Sequence, residues 1–155
     1  QWKWLAGGIA IGIVLTVVTT VVAMRTLMIV EFDSTKGFEE TVQSIQRGIE
    51  ENGWSSPTTM NLNESLKKHG VDFEPKVRLI KLCKAKYAAE VLGDARHVAS
   101  LMPCTIAVYE DDSGRVKVSK MNTGLMGKVF GGTIARVMGG YVAAEEQKIL
   151  ANVVP

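Results

Sequence analysis

Cysteine, histidine and proline are scarce in this chain of 155 residues, which holds two, two and four of them. Cys83 and Cys104 are separated by twenty residues, and neither belongs to a CxxC or CxxCH pattern. The short-range dithiol of the thioredoxin type and covalent haem attachment are therefore excluded. There is no HExxH, no GxSxG and no glycine-rich phosphate loop after a strand, so the common signatures of zinc proteases, serine hydrolases and nucleotide enzymes are missing. A surplus of one charge is lacking as well. Setting aside Lys3 and Arg25, the residues from Thr26 onward carry 16 basic and 16 acidic side chains. A neutral domain has no excess of positive charge to exchange for counterions on phosphates, so nucleic acid is not an expected partner.

What the chain does have is one long apolar run. Leu5–Met24 is twenty residues without a charge, and at about 1.5 Å per residue a helix of that length covers the roughly 30 Å hydrocarbon core of a bilayer. Trp2 and Trp4 stand at one end, where indoles favour the headgroup layer, and Arg25 closes the other. A cleaved secretory signal is the alternative, with Val21-Val22-Ala23 as its site, but the run exceeds the ~7–15 residues of a signal core. Residues 1–25 are thus expected to be a single-pass transmembrane anchor. Lys3 before the run, and only Arg25 and Lys36 among several acids just after it, place the domain on the periplasmic or external side. Gly8, Gly12, Thr16 and Thr20 share one face of the helix. Small residues at this spacing allow close approach of a second transmembrane helix, from a copy or from another subunit.

Residues 26–121 read as an α+β domain. Leu27–Phe32 is apolar and β-branched, suited to a strand, although the first helix could run on to Val30. Phe38, Val42, Ile45 and Ile49 share one face of a helix predicted over 37–52, with Asp33, Ser34 and Thr35 as N-cap candidates and Gly53 at its end. Trp54–Pro57 reads as a turn and Leu62–His69 as a short helix. Lys76–Cys83 is a strand, Lys84–Leu92 a compact Ala-rich helix, and Pro103 ends a further helical turn. Thr105–Glu110 and Arg115–Met121 alternate about Asp111–Gly114, the pattern of a β-hairpin. The expected fold class is therefore α+β, with a small antiparallel sheet of about four strands packed with helices, preceded by one transmembrane helix.

The runs KVRLIKLCKAKYAAEVL, LMPCTIAVYEDDSGRVKVSKMN and GLMGKVFGGTIARVMGG, with GFEETV near Phe38, resemble the domain of unknown function 302 family. The resemblance covers most of the chain after Arg25. It implies a small α+β domain with an antiparallel sheet, often dimeric in the family, and it implies no reaction and no catalytic residues. The anchor and the glycine-rich tail depart from the family's simplest members.

Residues 122–155 form a glycine-rich helical segment of the same domain. Met126, Val129, Phe130, Ile134, Val137, Met138 and Tyr141 keep helical spacing despite six glycines between Gly124 and Gly140. Gly131, Ala135 and Gly139 lie four apart, so this helix is expected against a partner helix, the membrane surface, or its own sheet.

Three readings of the cysteines stand open: buried unpaired thiols, a disulfide between strand ends, and functional thiols. Cys83, Cys104, Met102 and Met121, with Met126, gather soft sulfur ligands near the same strand ends, the set that suits Cu(I). Methionine also fills core gaps. His69 beside Lys67-Lys68 and His97 in a helical run read as surface residues, and the acid pairs Glu39-Glu40, Glu50-Glu51 and Glu145-Glu146 as solvated helix faces. No catalytic constellation emerges and no cofactor is expected. The function read from the sequence is a membrane-anchored, non-catalytic binding module, an accessory subunit of a larger membrane complex, with Gly8, Gly12, Thr16, Gly131 and Gly139 as interface residues. The alternative is an extracytoplasmic thiol-redox or copper-handling protein using Cys83 and Cys104.

Overall fold

The uncharged run folds as one helix, α1 (Trp2–Leu27), in a computed structural model that describes residues 2–155. Its stretch Gly7–Met24 has a mean hydropathy of 2.2 and none of it is buried within the chain, so it is long and apolar enough to cross a membrane. Helix α1 ends at Leu27 rather than Val30, and one residue later β1 (Ile29–Asp33) begins. Asn122 fixes this splice: its side-chain amide donates to the Leu27 carbonyl at 2.9 Å and its backbone N–H to the Met28 carbonyl at 2.8 Å.

After β1 come α2 (Phe38–Glu51), β2 (Ser55–Asn61), α3 (Leu62–Lys68) and β3 (Val77–Cys83). Helix α4 (Ala85–Asp94) and a 3₁₀ turn (Arg96–Leu101) lead to the hairpin of β4 (Cys104–Glu110) and β5 (Val116–Met121). All neighbours in the sheet are antiparallel, in the order β1-β5-β4-β3-β2. The sheet has five strands among the described residues, one more than the sequence predicted. The extra strand is β2, read from the sequence as a turn because Pro57 sits within it. Proline cannot donate to a ladder and is tolerated at an edge or a bulge. Strand β2 is an edge, and its register with β3 shifts between Ser55 and Thr58, around Pro57.

None of the three N-cap candidates of α2 serves. Lys36 N–H donates to Ser34 Oγ at 3.2 Å, which holds Ser34 in the turn before the helix, and Gly37 is the cap residue without a side-chain bond. Asn61 caps α3 through its side chain, and Asn122 does the same for the helix that begins at Thr123.

One face of the sheet carries Ile80, Leu82, Ile106, Val108 and Val118, all fully buried. Against them pack Val42, Ile45 and Ile49 of α2 and the C-terminal helices, each large apolar side chain contributing about 1.5–3 kcal/mol on burial. The C-terminal segment is not one helix. Helix α5 (Thr123–Phe130) stops where Gly131 and Gly132 take φ of 70° and 53°, the left-handed region open to glycine. The chain turns back into α6 (Gly132–Ile134), a π-helical stretch Ala135–Val142, and α7 (Ala143–Leu150). At the crossing, a Cβ on Gly127 would lie 2.7 Å from the Gly139 Cα. The close helix partner of Gly139 is therefore α5 of its own domain.

Candidate functional site

Five strand ends meet at the rim of the sheet nearest α1: β1, β2 and β4 begin there, β3 and β5 end there. Ile29 pairs with Met121 and Leu82 with Cys104 across the ladder. Around the end of β4 and β5 lies a half-open cavity of about 230 Å³. Its apolar wall is made by Ile29, Leu101, Pro103, Ala107, Met121 and Met126, and its polar wall by Cys104, Lys120, Thr123 and Glu146 among others.

The polar wall follows from register and helix phase. Lys120 stands opposite Ile106, a fully buried residue, so its side chain is on the core face of the sheet. Glu146 belongs to the stripe Val142, Glu146, Ile149 and Val153, spaced four, three and four apart and all at most 2% exposed. That spacing forces the carboxylate inward with its apolar neighbours. There Lys120 Nζ donates to Glu146 Oε2 at 2.7 Å and Thr123 Oγ1 to the same oxygen at 2.8 Å. A carboxylate at this depth requires such compensation, since an unpaired buried charge costs several kcal/mol.

Its neighbour Glu145 organises a second network on the other side of the helix. Glu145 Oε2 accepts from Trp54 Nε1 at 2.6 Å and from Lys84 Nζ at 2.7 Å, while Oε1 accepts from Tyr87 Oη at 2.7 Å. The Lys84 ammonium lies 5.8 Å from the Trp54 ring centroid and 5.2 Å from that of Tyr87, and Tyr141 stacks on Tyr87 at 5.8 Å. Burial pushes the Glu145 carboxyl up, but the bonds from Lys84, Tyr87 and Trp54 outweigh it and hold the group below its ordinary range. The bond to Glu145 in turn raises the Tyr87 phenol. These two glutamates correct the sequence reading of Glu145-Glu146 as a solvated pair. Glu39, Glu40, Glu50 and Glu51 are exposed, as are His69 and His97.

Both cysteines are free thiols at the same rim. Leu82, not Cys83, stands opposite Cys104, so the two are offset by one residue in the ladder. Cys83, Cys104 and Met102 share the wall of a small cavity of about 20 Å³ with Trp54 and Tyr87, whereas Met121 lies on the larger one with Cys104. Burial, reinforced by the Glu146 charge, pushes the Cys104 thiol up to about 12, so it stays protonated at neutral pH. Among the described residues, no group of three or more His, Cys, Asp or Glu side chains is placed to hold a metal ion. Gly8, Gly12 and Thr16 lie on α1, and a Cβ on either glycine would meet nothing within 4 Å. Thr16 Oγ1 bonds back to the Gly12 carbonyl at 2.8 Å. Gly131 is equally open and serves the turn between α5 and α6.

No curated protein matches the chain. Among solved structures, the crystal structure of the uncharacterized conserved protein DUF302 from Bacillus stearothermophilus superposes with a TM-score of 0.71 at 18% identity, covering 82% of this chain and 98% of that one. At that identity the likeness establishes the fold. Residues 30–153, which take in every residue lining the rim cavity except Ile29, match the family described as Domain of unknown function DUF302, and the chain belongs to that family.

Proposed function

We propose that this protein is a membrane-anchored, non-catalytic binding module, an accessory subunit of a larger membrane protein complex, with its domain on the periplasmic or external side. The observation that carries this reading is α1: eighteen consecutive uncharged residues of mean hydropathy 2.2, with no part of them covered by the rest of the chain. At about 25 cal/mol per Å² of apolar surface, such a helix is driven into lipid or against other helices. The splice to β1 through a single residue, clamped by Asn122, supports a domain held at a fixed height above the bilayer and not at the end of a flexible tether. The stripe Gly8, Gly12 and Thr16 supports a helix partner, because its backbone is open to close approach.

Native membranes solubilised in a mild detergent test the proposal. The chain is expected to migrate with other membrane subunits, and Gly12→Leu to weaken that association while leaving insertion intact. Migration as a lone monomer or homodimer sinks the subunit reading. Protease added to cells with a permeabilised outer membrane is expected to remove the domain, and full protection would place it on the opposite side.

The thiol-redox or copper-handling reading has the support of Cys83, Cys104 and Met102 sharing one wall. It has less support than the binding module, because Cys104 is held as a neutral thiol and not as the thiolate that attacks disulfides and binds metals.

A further inference from the structure

The polar wall of the rim cavity has one acceptor and one donor in reserve. Glu146 Oε2 takes both of the carboxylate's hydrogen bonds among the described residues, and Oε1 takes none. No buried side-chain oxygen or nitrogen among those residues lacks a partner, so Oε1 reaches open space, and the space Glu146 lines is this cavity. Lys120 Nζ has three N–H donors, of which one goes to Glu146 and one, at 3.4 Å, to the Met121 carbonyl. A third is left at the same wall. A hydroxyl is the smallest neutral group that answers both, donating to Oε1 while accepting from Nζ. An ammonium head does not fit as well. Lys120 already balances the Glu146 charge, and a second cation would sit uncompensated against apolar walls.

The remaining walls set the body of the ligand. They are mostly apolar, and Met121 and Met126 supply the flexible thioethers that adapt to aromatic edges. An apolar cavity of roughly 150 Å³ accommodates benzene. At about 230 Å³ this one has room for a substituted ring.

Position sets the source. Ile29, on the cavity wall, is five residues beyond Met24, the end of the apolar span. Three of those steps are helical at about 1.5 Å and two are extended at no more than about 3.8 Å. The cavity wall is thus within about 12 Å of the hydrocarbon boundary, close to the headgroup layer, which is ~5–8 Å deep.

We propose that this cavity binds the ring of a small membrane-partitioning phenol, a neutral hydroxylated aromatic whose hydroxyl bridges Glu146 and Lys120. Delivery from the bilayer rests on the anchor reading above, whereas the preference for a hydroxylated ring does not. The test uses the full chain in lipid nanodiscs with ¹³C-methyl methionine, titrated with 4-propylphenol. Saturable shifts are expected at Met121 and Met126, with Met60 on the far edge strand unmoved. Propylbenzene, which lacks the hydroxyl, is expected to bind at least tenfold more weakly, as is 4-propylphenol to Glu146→Gln. Ala107→Leu fills the cavity without touching the ion pair and is expected to abolish the saturable shifts even if Glu146→Gln fails to fold. Absence of saturable shifts at Met121 and Met126, or propylbenzene binding within twofold of 4-propylphenol, overturns the proposal. Alkaline extraction of membranes reports on the anchor separately: release of the chain there defeats the anchor reading and leaves the cavity result standing.

Discussion

Replacing Lys120 by Met removes the cation paired with Glu146 among the described residues while keeping the length and apolar stem of the side chain. The ion pair is deeply placed, with side-chain exposures of 10% for Lys120 and 2% for Glu146. At its N–O distance of 2.7 Å, an effective dielectric of about 20 gives a gross attraction of about 6 kcal/mol. Desolvation of the two ions, at several kcal/mol each, offsets most of this, so the pair as a whole contributes little net stability. Breaking it is different. Glu146 is left buried without its cation, with Thr123 as its remaining donor among the described residues, and the expected loss is about 3–5 kcal/mol. For a domain of this size 1 kcal/mol moves the midpoint by about 4 °C, so Lys120→Met is expected to melt about 12–20 °C below the parent. The double variant Lys120→Met/Glu146→Leu is expected to recover most of that loss, because both charges are gone and the volume is kept. Thermal melts followed by far-ultraviolet circular dichroism of the full chain in detergent measure both. A single variant within about 4 °C of the parent would refute the reasoning, since Glu146 would then be hydrated through the cavity.

The close crossing of α5 and the π-helical stretch predicts that Gly127→Ala costs about 2 kcal/mol or more, because its Cβ would meet the Gly139 backbone at 2.7 Å and backbone cannot yield as a side chain does; urea unfolding of the two chains measures it. Trp54→Phe keeps an aromatic ring at the site but removes a donor to a carboxylate, and the same measurement should show a loss of at least about 1.5–3 kcal/mol. Cys104 carries a pH prediction: its thiol titrates at about 12 in the folded chain against 9.0 when unperturbed, so its contribution to stability is complete below pH 9 and is lost as pH rises from 9 through 12. At pH 8 its alkylation by iodoacetamide should be about 1,000-fold slower than in urea, and comparable rates would mean an accessible thiolate.

Local pattern alone determined much of the fold. An uncharged run of twenty residues specifies one long apolar helix, and alternation about Asp111–Gly114 specifies a hairpin, because both follow from neighbours in sequence. The apolar face of α2 and the strand β3 were readable for the same reason. Strand β2 was not, since Pro57 is compatible with a strand only where no neighbour needs its N–H, and being an edge is a property of the sheet. The site was less legible still. Cys104 and Met121 were picked out for their chemistry, and they do lie on the rim cavity. Glu146 looked like a surface acid beside Glu145, although its place between Val142 and Ile149 on the inward stripe was a signal available from spacing. That Lys120 should meet it depends on the register of β5 against β4 and on the phase given to α7 by the π-helical turn before it. These are long-range relations between segments 26 residues apart, and only the packed chain decides them.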